Sequence, residues 1–208
     1  MGSAEIAIAP AARRLRARVS LPGSKSITNR ALLLAAMARG RSVLDSALLS
    51  DDTNYMSAAL RELGFAVEVD EPSSRIAVEG RGGSVPNESN ELFVGGAGTA
   101  MRFLVGFLTL GRGHYRIDGN QRMRERPMEP LLRAMQRLGA TVYSERDNRC
   151  PPIIIDGQSG RFSGGATEID ARDSSQFVSA LLMPAPLWPR GLGLRVIGDA
   201  ARPFIDMT

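Results

Sequence analysis

The chain has 208 residues, with 26 Lys plus Arg against 22 Asp plus Glu for a formal charge of +4, 43% hydrophobic and 5% aromatic residues, and a single cysteine. No apolar run reaches the roughly 20 residues a membrane helix needs, and one cysteine excludes an internal disulfide. The cations fall singly and few aromatics are available to stack bases, which argues against nucleic acid and for a small anionic ligand.

The N-terminus has no hydrophobic signal core, and a reducing cytoplasm is the expected compartment. The first distinctive stretch is residues 21–38, Leu-Pro-Gly-Ser-Lys-Ser-Ile-Thr-Asn-Arg running into Ala-Leu-Leu-Leu-Ala-Ala-Met-Ala. A polar turn that opens an apolar helix presents unpaired N–H groups at the positive end of the helix dipole, an arrangement suited to an anion. Lys25 adds a compact charge, Arg30 a planar fork, and Gly23 room for the backbone to turn. Taken alone, the stretch fits equally well an ordinary Ser-capped helix with two solvated cations.

The pattern recurs. A turn and strand at 40–44 follow, then an amphipathic helix over 56–63 closed by Leu63-Gly64, an alternating strand, and a short strand at 76–80. Gly96-Ala97-Gly98-Thr99 then opens a second apolar helix over 100–110. After it come Gly111-Arg-Gly-His-Tyr-Arg-Ile, an amphipathic helix from 131 closed by Leu138-Gly139, an alternating strand, and a strand at 153–157. Glycine just past each amphipathic run is a helix-ending signal. A third copy starts at Asp173-Ser174-Ser175-Gln176, with a helix over about 177–183 and a strand over 192–197. It reaches Arg202-Pro203, where Arg126-Pro127 opens the second helix of the preceding copy. Stretches 80–84 and 159–165 read as Gly/Ser-rich loops.

Each unit predicts strand, helix, strand, helix, strand, strand, with repeats at about 21–82, 83–165 and 166–208, the third incomplete. The expected class is α/β (α+β): three βαβαββ repeats around a pseudo-threefold axis, in a chain expected to be part of a longer protein. Such packing gathers equivalent helix starts at one end, with Lys25, Ser26, Arg30, Gly98, Thr99, Arg102, Arg126, Ser174, Ser175, Gln176 and Arg202.

Four stretches, in order and over almost the whole chain, resemble the 5-enolpyruvylshikimate-3-phosphate synthases (3-phosphoshikimate 1-carboxyvinyltransferases). They are Leu-Pro-Gly-Ser-Lys-Ser-Ile-Thr-Asn-Arg-Ala-Leu-Leu-Leu-Ala-Ala, Gly-Ala-Gly-Thr-Ala-Met-Arg, Arg-Met-Arg-Glu-Arg-Pro and Ser-Ser-Gln-Phe-Val-Ser-Ala-Leu-Leu-Met. The resemblance implies two similar three-repeat domains that close on the substrates. Residues 21–208 would be the N-terminal substrate-binding domain, 1–20 a segment packing with the other domain, and the C-terminal domain absent. The implied reaction transfers a carboxyvinyl group from phosphoenolpyruvate to the 5-hydroxyl of shikimate 3-phosphate through a tetrahedral intermediate, releasing phosphate, in aromatic amino-acid biosynthesis. It also implies no metal or organic cofactor, no nucleic-acid or membrane partner, and a monomeric, cytoplasmic full-length protein.

By motif match, Lys25, Ser26, Arg30, Ser174, Ser175 and Gln176 would bind shikimate 3-phosphate, and Lys25, Gly98, Arg126 and Gln176 phosphoenolpyruvate. The implied proton-transfer carboxylate and lysine belong to the other half, leaving Lys25 as the candidate for catalytic support. These residue types suit the task, because two anions must meet and Arg, Lys and helix N-termini offset their repulsion. Four departures bear on substrate identity and inhibitor response: Gly96 where the family commonly has Asn, Phe103 for Pro, Ala201 for Ser, and Phe204 for Tyr.

Plainer roles are expected beside these. One or two of Arg122, Arg124 and Arg126 should be solvated or paired with Glu125 and Glu129; Thr99 and Ser175 could be simple N-caps. Asp51, Asp52, Asp118 and Asp173 read as caps and turn formers, His114 as the start of a strand, and Cys150 as structural. The alternatives are a diverged paralogue acting on a related phosphorylated acid and a non-catalytic domain that binds one. The half alone is expected to bind weakly and not to turn over.

Overall fold

The structure, a computed structural model, describes residues 6–157, 162–198 and 202–208. The first repeat holds α1 (Lys25–Met37), β1 (Arg39–Leu44), α2 (Asp51–Glu62), β2 (Val67–Asp70) and β3 (Arg75–Arg81). The second holds β4 (Ser89–Phe93), α3 (Gly98–Phe107), β5 (His114–Asp118), α4 (Glu129–Arg137), β6 (Thr141–Ser144) and β7 (Ile153–Asp156). The third holds β8 (Gly165–Asp170), α5 (Gln176–Leu182), β9 (Leu192–Ile197) and α6 (Arg202–Asp206).

Repeat two is the complete unit. Its sheet runs β4-β5-β7-β6, with β4 parallel to β5 across the α3 crossover and the other pairs antiparallel. Repeat one forms β1-β3-β2, the same order without its first member. The leading strand expected there is not found among the described residues: 6–24 contain no strand and are almost wholly exposed. A strand exists only where a neighbour pairs with it, and none of the described residues pairs with the edge of β1 where a counterpart of β4 would lie. Repeat three holds β8 and β9, parallel across α5 as β4 and β5 are across α3. The loop expected at 159–165 lies partly outside the described residues.

The first helices of the three repeats form the core. Phe103, Leu104, Val105 and Phe107 of α3 are fully buried, so apart from Thr99 and Arg102 near its start α3 is apolar on every face, as a central helix must be. It packs against α1 and α5. A Cβ on Gly106 would lie 1.9 Å from the Ala180 carbonyl oxygen, so glycine is what lets α3 and α5 cross this closely. The amphipathic second helices cover the sheets, α2 burying Met56, Ala59 and Leu60, and α4 burying Leu131, Leu132, Ala134 and Met135. Both end as the Leu-Gly pairs predict, with Gly64 at φ +91° and Gly139 at φ +89°.

Candidate anion-binding site

The starts of α1, α3 and α5 meet in one cleft lined by Lys25, Ser26, Arg30, Thr99 and residues 173–176, together with Phe204. Each start is built differently. Ser24 caps α1, its hydroxyl accepting from the Ile27 N–H at 3.4 Å. Ser174 serves α5, its hydroxyl accepting from the Gln176 N–H at 3.2 Å, whereas Ser175 makes no cap bond. The residue before α3 is Ala97, so no side chain caps its first turn. Thr99 is therefore not an N-cap; it lies inside α3 and accepts from Gln176 Nε2 at 3.0 Å.

Lys25 is the one lysine in the sequence; every other Lys-or-Arg position is arginine. Its ammonium is half exposed in the cleft, 3.5 Å from the Asp52 carboxylate. Asp51 and Asp52 are not themselves the cap: Ser50 is the N-cap of α2, and the two carboxylates occupy its first turn, where the helix dipole favours them.

At the start of α3 two guanidiniums converge. Arg126 Nη1 lies 2.6 Å and Arg102 Nη1 3.4 Å from where a Gly98 Cβ would be, so the bare glycine makes room for both. Neither forms an ion pair with a carboxylate among the described residues. Arg102 donates to Gln176 Oε1 at 2.5 Å and stacks 5.0 Å over the Phe177 ring, while its Nε is buried with no partner among the described residues. Burial, helped by the Arg126 charge, pushes the Arg102 pKa down to about 10. Two like charges held together without a counter-charge favour an incoming anion.

Arg30 is placed more deeply than its motif suggests. It is 4% exposed, and its donors reach Ser26 O (2.9 Å), Ser179 Oγ (2.8 Å), Thr208 Oγ1 (2.8 Å) and Phe204 O (2.9 Å). The fork also stacks 5.1 Å over Phe103, and burial lowers its pKa. Phe103, where the family commonly has Pro, is thus the platform beneath Arg30. Phe204, where Tyr is common, offers its carbonyl to Arg30 and is among the residues that line the cleft. Gly96 faces the Asn120 amide, Nδ2 lying 3.2 Å from where its Cβ would be. Ala201 lies outside the described residues. Arg202 does not join the cluster: its side chain is 85% exposed and its guanidinium is 3.9 Å from Asp206, because α6 turns it to solvent.

In the arginine run before α4, Arg122 is solvated as expected, and Arg124 takes a partner that was not expected. Arg124 binds Asp118 through two bonds, Nε to Oδ1 at 2.9 Å and Nη2 to Oδ2 at 2.6 Å, instead of Glu125 or Glu129. Glu129 takes Arg133 and Arg149, and Arg122 is exposed. Asp118 is therefore more than a turn former. The local Arg–Glu spacing missed this because the pairing runs back to the end of β5, where only the Asp118-Gly119 turn signal marks the place. Ser179, the buried partner of Arg30, lies inside the quoted Ser-Ser-Gln-Phe-Val-Ser stretch but carried no assigned role. His114 starts β5 as predicted, and Cys150 is partly buried, which pushes its thiol pKa up.

The model of the EPSP synthase (3-phosphoshikimate 1-carboxyvinyltransferase) family matches residues 10–208. The chain is 43% identical over 204 residues to the 3-phosphoshikimate 1-carboxyvinyltransferase of Nostoc sp., covering 98% of this chain and 48% of that protein. To the enzyme of the same name from Pseudomonas syringae pv. tomato it is 45% identical over 207 residues, again covering 48% of it. The chain thus spans about half the length of these relatives. Among solved structures, EPSP synthase from Acinetobacter baumannii superposes with a TM-score of 0.77 at 23% identity, over 90% of this chain and 42% of that one. The enolpyruvyl transferase NikO from Streptomyces tendae gives 0.60 at 16%, over 85% and 39%. At these identities the two structures speak for the shared fold.

Proposed function

The chain belongs to the EPSP synthase family, and we propose that it is the substrate-holding half of a 3-phosphoshikimate 1-carboxyvinyltransferase. The reaction moves the carboxyvinyl group of phosphoenolpyruvate to the 5-hydroxyl of shikimate 3-phosphate: the new C–O bond forms at the enol carbon and the C–O bond to phosphate breaks. The carrying observation is the meeting of three helix starts in one cleft with Lys25 in its lining, next to which Arg102, bonded to the cleft residue Gln176, converges with Arg126 over Gly98, neither paired with a described carboxylate.

The cleft supports two neighbouring anion subsites. Lys25, Ser26, Arg30, Ser174, Ser175 and Gln176 hold shikimate 3-phosphate, with Arg30 contributing mainly by fixing the α1–α5 junction through Ser179. Gly98 and Arg126 hold phosphoenolpyruvate with Lys25 and Gln176 between the two, so Lys25 can offset the charge of both. The chain at 21–208 is read as the N-terminal substrate-binding domain, 1–20 as a segment that packs with the C-terminal domain, and that domain as the source of the opposite wall and the proton-transfer groups. The whole protein is read as a cytoplasmic monomer that takes no metal or organic cofactor. Cations spread singly over the sequence, many of them paired with carboxylates, support a small ligand over nucleic acid. The second reading, a related phosphorylated acid as acceptor, is favoured by the Gly96 and Phe204 departures.

The single lysine provides the test. Reductive methylation with labelled formaldehyde marks only Lys25 and the α-amino group, so an NMR titration reads the cleft directly. Shikimate 3-phosphate should shift the Lys25 signal at far lower concentration than inorganic phosphate; equal responses to the two would sink the proposal. Joined to the C-terminal half of a curated relative, the chain should release phosphate from phosphoenolpyruvate only when shikimate 3-phosphate is present.

A further inference from the structure

We propose that Asp118 is a positioning residue that holds Arg126 at the anion site through Arg124. The inference rests on the reading of Gly98 and Arg126 as an anion subsite, and it adds a residue that neither the motifs nor the resemblance assigns to binding.

Arg126 needs such support. Its guanidinium shares the space above Gly98 with that of Arg102, and two like charges at this range repel. No described carboxylate pairs with Arg126, so the geometry has to be imposed through the backbone that carries it. That backbone is the turn from Gly119 to Arg126. It is pinned at its start by Asp118, which is 4% exposed and uses both carboxylate oxygens: Oδ1 accepts from Gly119 N–H (2.8 Å) and Arg124 Nε (2.9 Å), Oδ2 from Arg124 Nη2 (2.6 Å) and Arg116 Nη2 (3.3 Å). Arg116 is itself held by Glu145 through two bonds.

The same turn is zipped to the loop before α3. Val94 N–H donates to Asp118 O and Asn120 N–H to Gly95 O, both at 2.9 Å. Met123 is buried beneath it, and Arg126 N–H closes the turn on Met123 O at 3.0 Å. The Asp118–Arg124 pair therefore locks a short stretch with Arg126 at one end and the glycine loop of Gly98 along its side. Asp118 touches no ligand in this scheme; it acts by fixing where Arg126 stands.

Two NMR probes separate this from a general effect on folding. In this chain, inorganic phosphate is titrated while the Gly98 amide reports the Arg126 side and the labelled Lys25 methyls report the other. Asp118→Asn, which keeps an acceptor for Gly119 N–H, should weaken the phosphate response at Gly98 by about tenfold and change that at Lys25 by less than about twofold. Arg124→Gln should give the same split, and the double variant should be no worse than either single one, because the two act as a unit. Equal weakening at both probes, no weakening at Gly98, or no phosphate response at Gly98 in the parent chain would each overturn the proposal. If the split holds but phosphoenolpyruvate and shikimate 3-phosphate bind no better than phosphate, the positioning role stands and the reaction assignment falls.

Discussion

The Arg102 guanidinium donates to the Gln176 carboxamide oxygen, tying the second repeat to the third at the mouth of the cleft. The other end of the same carboxamide donates to Thr99. Gln176 thus uses both its polar atoms to join α3 and α5 where the substrates are proposed to meet.

Gln176→Ala removes the one hydrogen-bond partner that Arg102, a largely buried cation, has among the described residues. The loss of a bond to a charged group should cost about 1.5–3 kcal/mol of stability in urea denaturation. The freed Arg102 should also repel Arg126, so affinity for phosphoenolpyruvate should fall with it. Unchanged stability would mean that the guanidinium finds another acceptor.

Arg30→Lys keeps the charge and loses the fork. A lysine cannot reach Ser179, Thr208 and the Phe204 carbonyl together, nor stack as a plane over Phe103. The melting temperature should fall, by the equivalent of about 2–3 kcal/mol. Ser179→Ala, which removes one buried acceptor, should cost less, about 1 kcal/mol. A lysine variant as stable as the parent would show that these bonds are dispensable.

Gly98→Ala and Gly106→Ala should separate binding from folding. At Gly98 the new methyl would meet Arg126 Nη1 at 2.6 Å, the movable end of a side chain, so folding should be little changed while phosphoenolpyruvate binding drops. At Gly106 it would meet the Ala180 carbonyl at 1.9 Å, fixed backbone, so α3 and α5 must part at a cost of about 3 kcal/mol or more. Thermal melts paired with ligand titrations read both, and similar melting temperatures for the two variants would contradict the packing described.

Asp118 sets an acid limit. Burial works to raise its carboxyl, but the Arg124 hydrogen bond, the Gly119 N–H and the charges of Arg124 and Arg116 together carry its pKa below the ordinary aspartate value. A group whose folded pKa is depressed contributes stability that is fully present above the unfolded pKa, about 3.9, and is lost as pH falls through the folded value. The parent should therefore exceed Asp118→Asn in stability at neutral pH, and the gap should close only below about pH 4. A gap that closed nearer pH 6 would assign the titration to another group.

Local chemistry in the sequence determined much of this protein. Apolar runs at helical spacing, glycines after Leu63 and Leu138, and alternating strands define the repeat, because each is settled by a residue and its near neighbours. The same holds for the helix starts at Lys25, Gly98 and Gln176, which the turn residues before them announce. Partners were another matter. Spacing along the chain left the arginine run to solvent or to Glu125 and Glu129, which suits the exposed Arg122, yet Arg124 reaches back to Asp118 and Arg126 stands beside Arg102. Arg30, which the motif marks as a substrate contact, also lies buried against Ser179, a residue 149 positions away. An ion pair or a buried fork is decided by which elements pack together, and the packing of α1, α3 and α5 about one axis is a property of the folded chain that no local spacing records.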